Sequence, residues 1–358
     1  MLSKELVKKF SADRKEPEWL LRRRLEAFDQ FKELPDPSFR YGLHIMLRPE
    51  LNLDNLEIDN ENVKNATQIW GFGDKLGKLI KQDKFSTLNF AFANIHLIEA
   101  KENEQLNIEI ADKNQFSHTV ILAKPNSHVN IFESVNESGN YKSNFIEIYA
   151  EEGSTVNFAS LQNLGKNVNY ISGKYASISE GAKVNWFDIS LGAKFAKSDV
   201  VSFLRGKNAA TNNYGLFLGN QDQQFDLYSA AIHEAEDTKS DILMKGILKD
   251  KAKSLYRGLV KINEKAANSD GYQKEEVLLL SEEAEADVIP NLEIDNGNVR
   301  CSHGASIGNI DKEKLFYLMS RGLDKEAAVK LIVEGFFDSL LAKADVRNVK
   351  DIIMEKLK

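Results

Sequence analysis

The sequence predicts a mainly β protein, a solenoid of short strands flanked by helical segments. Apolar residues change from helical to strand-like spacing near Leu88, and helical spacing is hard to find again before residue 309. A short motif also recurs along the middle of the chain, and 358 residues exceed what one compact core usually serves. We therefore predict an N-terminal helical region (1–87), a β-helix core (88–308) and a C-terminal helical region (309–358).

The N-terminal region carries two helical patterns. Pro17 suits a first helical turn. It is followed at helical spacing by an apolar stripe of Leu21, Leu25 and Phe28, and the proline-rich stretch after them ends the helix. A second helix is predicted over 75–82. The expected role of both helices is packing against the rest of the chain.

The core region is typical of short strands separated by turns. Its segments alternate between apolar and polar side chains or are apolar throughout, and Gly, Asn, Ser and Lys separate them. The clearest segments are 106–110, 129–132, 145–149 and 184–187.

An internal repeat indicates how these strands are arranged. Asn130, Asn157 and Asn185 each follow a valine and precede an aromatic or aliphatic residue, and they lie 27 and 28 residues apart. Weaker echoes occur at 250–256 and 283–288. A period of this length built from strands and turns is the signature of a solenoid, whose rungs stack on one another. A parallel β-helix fits best, and a sandwich is the alternative.

Such a solenoid has two ends, and an uncovered end strand invites aggregation or deliberate pairing. We expect the N-terminal region to cover one end. The helices that follow the core are placed to cover the other, which predicts a capped solenoid.

The C-terminal region predicts three helices. Asp311 and Asp324 are placed to cap the first two, Gly322 ends the first, and 346–358 forms the third. The expected apolar faces are Leu315, Phe316 and Met319 in the first helix, and Ala327, Ala328, Leu331, Ile332 and Phe336 in the second.

Two interpretations of these helices stay open. They could pack on one another as a small bundle. Alternatively, the aromatic pairs Phe316–Tyr317 and Phe336–Phe337 could form a docking surface, because each pair is too wide for a narrow apolar stripe. The sequence favours neither.

Composition excludes several classes of protein. The net charge of −7 is spread over mixed acidic and basic residues, which argues against nucleic-acid binding. A single cysteine excludes an intramolecular disulfide, and the N-terminus is too charged for a signal peptide. No run approaches the roughly 18 apolar residues of a membrane span. We expect a soluble, cytoplasmic protein without a membrane partner.

Enzymatic activity is not expected. The chain has no Gly-x-x-x-x-Gly-Lys-Ser/Thr phosphate loop, so any ATP hydrolysis would come from a partner. It also lacks the His-Glu-x-x-His motif. Two alternatives remain: a carbohydrate-active β-helix enzyme that uses paired carboxylates, or a β-solenoid scaffold without metal chemistry.

The candidate metal ligands are Cys301 and His303. Cys301 is the only cysteine of the chain, and two residues later comes one of its six histidines. In a strand both side chains face the same side, which places a thiol beside an imidazole. A closed zinc or iron–sulfur site ordinarily takes four protein ligands. The pair therefore predicts a site completed across an interface, or by exogenous thiol or sulfide; the structural alternatives are a buried thiol and a histidine bound to backbone.

The same stretch carries a family resemblance. Residues 300–308 (Arg-Cys-Ser-His-Gly-Ala-Ser-Ile-Gly), with Leu-Phe-Tyr-Leu at 315–318 and Ser-Arg-Gly-Leu at 320–323, resemble the C-terminal signature of the SufB/SufD family, the scaffold subunits of the SUF iron–sulfur cluster assembly system. The stretches 278–281 and 290–294 are similar in the same order. The Cys-Ser-His-Gly motif resembles the SufD branch, whereas the N-terminal Glu-Pro-Glu-Trp resembles the SufB branch. We favour SufD.

The resemblance implies a right-handed parallel β-helix with helical termini. It implies that the C-terminal helices bind the ATPase SufC, and that the β-helix pairs with a SufB-type subunit or a second copy as a dimer. It further implies a transient, nascent iron–sulfur cluster shared across that interface, with His303 and, less specifically, Cys301 as ligands. The sequence leaves open whether iron or flavin binds this chain.

Overall fold

The computed structural model describes residues 2–39, 45–58, 72–136, 139–343 and 349–356. Its centre is a solenoid of two eight-stranded sheets, in which odd-numbered strands form sheet A and even-numbered strands form sheet B. Every strand pairs in parallel with the strand two positions along the chain, as β10 does with β8 and β12. The prediction of a mainly β, parallel β-helix is confirmed.

The strands span most of the chain from Asn94 onwards. They are β1 (Asn94–Ala100), β2 (Gln105–Asp112), β3 (Phe116–Ala123), β4 (His128–Val135), β5 (Tyr141–Ala150), β6 (Thr155–Gln162), β7 (Asn169–Ile178), β8 (Lys183–Ser190), β9 (Phe195–Leu204), β10 (Ala210–Gly219), β11 (Gln224–His233), β12 (Lys239–Leu248), β13 (Lys253–Ile262), β14 (Asp270–Leu279), β15 (Glu285–Ile294) and β16 (Arg300–Asn309). The helices are α1 (Lys4–Asp13), α2 (Glu18–Glu33), α3 (Lys84–Phe92), α4 (Lys312–Ser320), α5 (Lys325–Leu341) and α6 (Val349–Lys356).

The turns that lead into sheet B explain the internal repeat. Those that lead into β2 to β14 each have one residue in the left-handed region, where Gly, Asn and Asp are favoured because a Cβ is crowded there. The backbone of one turn bonds to the next, as from the Gly153 N–H to the carbonyl oxygen of Glu180 at 2.9 Å. The left-handed residues before β4, β6, β8, β10 and β12 are Asn126, Gly153, Gly181, Asn208 and Asp237, with φ between 58° and 66°.

An asparagine ladder runs along the outer face of sheet B and marks the same repeat. The Asn157 amide donates to the Asn130 Oδ1 at 2.7 Å, and the Asn185 amide donates to the Asn157 Oδ1 at 2.6 Å. Asn107 and Asn212 extend the ladder in both directions. The three asparagines that defined the repeat are therefore stacked neighbours.

The weaker echoes at 250–256 and 283–288 do not continue this register. They lead into and lie on β13 and β15, which belong to sheet A, whereas the ladder belongs to sheet B. Turns on both sides of the solenoid need similar residues, since Asp250 also has a positive φ of 59°. The two segments therefore resemble the repeat because they also contain turns, although they do not occupy equivalent positions in the solenoid.

The N-terminal helices differ in detail from the prediction. α2 begins after Pro17 and ends before the proline-rich stretch, as predicted. Its buried face includes Leu20 and Arg24, whereas Leu21 and Leu25 are only half-buried. At its first two positions the predicted apolar stripe is therefore displaced by one residue from the buried face. The reason is that Arg24, a charged residue, lies at the centre of that face.

The helix predicted over 75–82 is wrong, because these residues form turns. The helix lies just downstream as α3, where Asp83 makes a capping box with Ser86. α3 continues past Leu88, the predicted onset of strand spacing, and β1 begins at Asn94. α1 was not predicted; Ser3 caps it by accepting from the Leu6 N–H at 3.2 Å.

A buried ion pair fastens α2 to the start of the solenoid. Both Glu16 carboxylate oxygens accept from the Arg24 guanidinium at 2.6 Å, and the side chains of the pair are 2% exposed or less. The remaining donors of Arg24 bind the carbonyl oxygens of Phe90 at 2.8 Å and Ala93 at 2.9 Å. Because all its partners are supplied, this charge is stable inside the protein.

The terminal regions cover the sides of the solenoid. Helices α1–α3 and residues 45–58 form a continuous apolar cluster with outward side chains of sheet A, such as Phe145 and Phe195. On sheet B, α5 buries Val333 and Phe337 among outward residues of that sheet. The prediction that the N-terminal region covers an end is wrong, because its apolar faces lie on sheet A.

The predicted C-terminal cap is also wrong. In the last rung, Ile294 and Ile307 are each 44% exposed, although they stack on the buried residues Ile262 and Val277. No described residue covers them. The solenoid therefore ends in an open rung formed by β15 and β16.

The C-terminal helices begin and end largely as predicted. Asp311 and Asp324 cap α4 and α5 through hydrogen bonds from backbone N–H groups, and Gly322 follows α4 with a φ of 98°. The predicted apolar face of α5 is correct only in part: Ala328 is buried and Phe336 half-buried, but Leu331 is 49% exposed while Val333 is buried. The helices do not form a bundle of their own, since α5 packs on sheet B and α4 has no buried residue.

No helix in the described parts of the chain is both long and apolar enough to cross a membrane.

The Arg24–Glu16 pair predicts a large stability effect. Arg24→Ala leaves Glu16 as an unpaired buried charge and should lower the free energy of unfolding by about 3–5 kcal/mol. Arg22→Ala is the matched control, because Arg22 faces solvent beside Glu18 and should change stability by less than about 0.5 kcal/mol. Urea unfolding measures both free energies. An equal loss of stability in the two variants would contradict a stabilising role of the buried Arg24–Glu16 pair.

Candidate functional site

The candidate site lies on β16, the last strand of the solenoid. Cys301 pairs with Gly271 of β14, and His303 pairs with Gln273. Both partners are inward-facing residues of the penultimate rung, and Gln273 is fully buried. Cys301 and His303 therefore point to the same, inner side of the open rung, as their spacing predicts.

The Cys301 thiol is half-buried at the edge of the apolar interior. It lies directly over Gly271, where a Cβ would come within 3.4 Å of the sulfur. Burial, and to a smaller degree the charge of Asp270, raises the pKa of the Cys301 thiol. The resting side chain is therefore a protonated thiol, and metal binding must displace its proton.

His303 is exposed, and no hydrogen bond to its ring is present among the described residues. It lies at the open face, next to the small residues Gly304 and Ala305. An imidazole in this position can offer a nitrogen to a metal ion or to an incoming partner. Together the two side chains supply one sulfur and one nitrogen.

Beneath His303 the interior is polar. Gln273 and Glu275 of β14 are fully buried, and none of their side-chain oxygen or nitrogen atoms makes a hydrogen bond of good geometry within the described structure. Burial raises the pKa of Glu275 to about 8, although the nearby Gln273 amide lowers it. The Tyr256 hydroxyl, also buried without a partner of good geometry, lies near enough for Glu275 to raise its pKa further.

Gly258 makes room for these two side chains. A Cβ at Gly258 would lie 2.2 Å from the Gln273 Nε2 and 2.7 Å from the Glu275 Oε1. The amide and the carboxylate therefore already occupy the space that a side chain at 258 would fill. Only the last rung lies above it, where Ala305 pairs with Glu275.

Glu275 differs from the other buried carboxylates of the described structure. Asp112, Asp188 and Asp226 are within 3.1 Å of a lysine or arginine, Glu147 is bound by His118 and two backbone N–H groups, and Glu133 accepts from the Asn144 amide. Glu275 has neither a cation nor a well-aligned donor. An unpaired buried carboxylate is costly, which singles this one out.

The described residues contain no complete metal site. No three His, Cys, Asp or Glu side chains are placed together to hold an ion. Cys301 and His303 thus form half of a site. As the sequence predicts, they supply two ligands where a closed site ordinarily takes four.

The other described histidines have structural partners. His233 is buried one rung deeper, where its Nδ1 lies 2.7 Å from the Thr238 hydroxyl and its Nε2 lies 2.8 Å from the Ser240 hydroxyl. Burial lowers the pKa of His233 to about 4, so the ring is neutral. His118 pairs with Glu147 at 2.9 Å. His44 lies outside the described residues.

A second exposed feature follows β16 directly. On α4, Phe316 is 73% and Tyr317 55% exposed, the largest exposures among the bulky apolar side chains described. A groove of about 550 Å³ lies between α4 and α5. Its lining residues are Asp311, Glu313, Lys314, Tyr317, Leu318, Leu331 and Ile332. Of the two aromatic pairs predicted to form a docking surface, Phe316–Tyr317 is exposed, whereas Phe337 is buried and Phe336 packs beside it on sheet B.

Sequence reasoning missed Gln273 and Glu275. Strict alternation from Gly271 to Val277 places both on the inner face of β14, so their position could have been inferred from a strand assignment. Their lack of partners could not, because it depends on residues of other rungs.

Comparisons with known proteins agree with this architecture. The family described as "SUF system FeS cluster assembly, SufBD core domain" matches residues 102–336. An iron-sulfur cluster assembly SufBD family protein of Staphylococcus saprophyticus is 26% identical over 415 residues, covering 94% of this chain and 88% of the relative. A SufBD family protein of Staphylococcus epidermidis is 30% identical over 269 residues, covering 72% and 58%. The iron-sulfur cluster assembly protein SufB of Bacillus subtilis is 25% identical over 410 residues, covering 94% and 88%.

The buried Glu275 predicts a characteristic pH dependence of stability. Its pKa rises from 4.5 in the unfolded chain to about 8 in the folded protein, so between these values the folded protein retains a proton that the unfolded chain has lost. The free energy of unfolding therefore falls as the pH rises through this window. Glu275→Gln removes that loss, so it should gain stability over the wild type, on the order of a few kcal/mol, between about pH 5 and about pH 8.5.

Urea unfolding in metal-free buffer measures this difference, and Glu276→Gln is the control. Glu276 faces outward; although burial raises its pKa, Lys274 and Lys245 lower it below the ordinary value. The control should show no gain over the same pH range. If the difference in the free energy of unfolding between Glu275→Gln and wild type does not change with pH, the pKa of Glu275 is not raised by burial.

Proposed function

The chain belongs to the SufB/SufD family of the SUF iron–sulfur cluster assembly system, and we propose that it is a scaffold subunit on which a nascent cluster forms. The observation that carries this proposal is the half site at the open rung, where Cys301 and His303 share a face without further ligands among the described residues. One thiol cannot hold a four-cysteine cluster. The cluster is therefore shared with a second subunit, or completed by sulfide or an exogenous thiol, and is released readily.

The open rung is the proposed pairing surface. β15 and β16 are the edges of their sheets, so each presents backbone donors and acceptors on one side. Ile294 and Ile307 add inward-facing apolar surface that is 44% exposed in the single chain. A SufB-type subunit or a second copy of this chain would cover both, and would bring its own ligands opposite Cys301 and His303.

The exposed face of α4 is the proposed docking surface for the ATPase SufC. Tyr317 lines the groove between α4 and α5, Phe316 precedes it on α4, and their exposure is what an aromatic contact surface requires. The inner face of α5 is fixed on sheet B through Val333 and Phe337. The ATPase would thus bind a helix pair that is anchored on the solenoid.

The two surfaces are adjacent in the chain. Only Ile310 and Asp311 separate the end of β16 from the first residue of α4. Movement of α4 driven by ATP binding or hydrolysis would therefore act directly on the strand that carries Cys301 and His303. We propose that the ATPase opens and closes the shared site in this way.

This chain is proposed to act without catalysing a reaction of its own, in the cytoplasm. ATP hydrolysis belongs to the partner, because no phosphate-loop motif is present in the sequence. The family match argues against the carbohydrate-active alternative.

His303 should be essential for cluster formation. In a reconstituted complex with the paired subunit and the ATPase, His303→Ala should lower the yield of bound iron and sulfide at least tenfold, because it removes a ligand without disturbing the interior. His128→Ala is the matched control, since His128 is also an exposed strand histidine but lies at the other end of the solenoid. A normal yield with His303→Ala, measured by absorption spectra and iron and sulfide content, would refute the role of His303.

The α4 surface should determine ATPase binding. Phe316→Ala combined with Tyr317→Ala should weaken binding, measured by calorimetry, by tenfold or more while the thermal stability of the chain is unchanged. Tyr272→Ala is the control, because Tyr272 is an aromatic residue of β14 that is 43% exposed and lies away from α4. Deletion of residues 309–358 is a poorer test, because it would uncover the apolar residues of sheet B beneath α5. Unchanged affinity in the double variant would place the docking surface elsewhere.

A further inference from the structure

We propose that Glu275 and Gln273 form an internal binding site for a divalent metal ion, ferrous iron, in the penultimate rung directly beneath His303. The site would hold a single ion before it joins a cluster at the open end. This inference rests on the proposed function only for the identity of the metal as iron. Its structural basis is the pair of buried polar side chains itself.

The first argument is the number of unpartnered polar atoms in one place. The two carboxylate oxygens of Glu275 and both polar atoms of the Gln273 amide are fully buried without a well-aligned hydrogen bond among the described residues. Buried polar groups in folded proteins are almost always satisfied, so four such atoms on two neighbouring inward positions call for a ligand.

The second argument is charge. The other buried carboxylates of the described structure have a cation or hydrogen-bond donors, whereas no positively charged group acts on Glu275. A cation entering the pocket would meet a carboxylate with no competing lysine or arginine. An anion would find no positive charge to bind it.

The third argument is convergence. The Gln273 amide and the Glu275 carboxylate both lie within 2.7 Å of the position that a Cβ at Gly258 would occupy. Gly258 thus leaves the space in which both side chains lie, so that they are close to each other. The amide can present its oxygen on the same side as the carboxylate after a half-turn, because its oxygen and nitrogen have nearly the same shape.

The location offers a route to the outside. His303 and Ala305 lie over Gln273 and Glu275 in the ladder, and no described residue covers the last rung beyond them. An ion would enter past the imidazole of His303 and the small side chain of Ala305. The nearest additional ligand is therefore a nitrogen.

The donor set suits ferrous iron. Carboxylate and carbonyl oxygens bind hard divalent cations, and imidazole favours the first-row transition metals over magnesium and calcium. With these few protein ligands, the ion would bind with moderate affinity and could leave.

The test measures binding of Fe²⁺ to the full-length chain by anaerobic equilibrium dialysis, with Co²⁺ absorption spectra as a second probe. Wild type should bind one equivalent, and Glu275→Gln, which keeps the size of the side chain, should bind at least tenfold more weakly. Glu276→Gln is the matched control and should bind like wild type, because Glu276 faces outward and pairs with Lys245 and Lys274. Gly258→Ala, whose Cβ would collide with both side chains and displace them, should also lose binding if circular dichroism shows that it folds.

Equal affinity of Glu275→Gln and wild type, or no binding by wild type, would overturn the inference and leave Glu275 as a protonated structural acid. Such a result would not affect the half site, which the cluster yield of His303→Ala tests separately. Conversely, loss of Fe²⁺ binding in Glu275→Gln together with a normal cluster yield in His303→Ala would support the internal site and refute the proposed function.

Discussion

The structure depends on the fact that each rung of a parallel β-helix is completed by the rung stacked on it. Backbone hydrogen bonds, the asparagine ladder and the left-handed turn residues all run from one rung to the next. Inner side chains are buried only where a further rung follows, as Val277 is beneath Ile307. At β16 this stacking stops, and the last rung keeps unused hydrogen-bonding groups, exposed apolar residues and a lone thiol.

The placement of the terminal regions turns this open rung into a site. Helices at a solenoid end would cover Cys301 and His303. Here the N-terminal region lies along sheet A, held by the buried Arg24–Glu16 pair, and α5 lies along sheet B. Both sides of the solenoid are therefore stabilised while its end stays accessible. The same arrangement leaves the exposed face of α4 two residues from β16, so a pairing surface and a docking surface share one short connection.

Features set by local chemistry could be predicted from the sequence. Asp311 and Asp324 cap helices because the acceptor and the N–H groups it binds are a few residues apart, and the repeated asparagines revealed the rungs because stacking repeats their environment. The Cys301–His303 pair followed from strand alternation. Features set by distant residues could not be predicted. The phase of the buried face of α2 depends on carbonyl oxygens at Phe90 and Ala93, and the isolation of Glu275 depends on Gly258 and on the end of the solenoid.

The central claim is that the open rung is half of a shared site, completed only when a second subunit covers it. The most direct measurement reconstitutes the cluster anaerobically and determines iron, sulfide and molar mass across a size-exclusion profile with light scattering. Cluster should coincide with the paired form, whether with a SufB-type subunit or with a second copy, and should be absent from the single chain. A stable cluster on the monomer would contradict the account, because the described residues of one chain supply too few ligands to retain it.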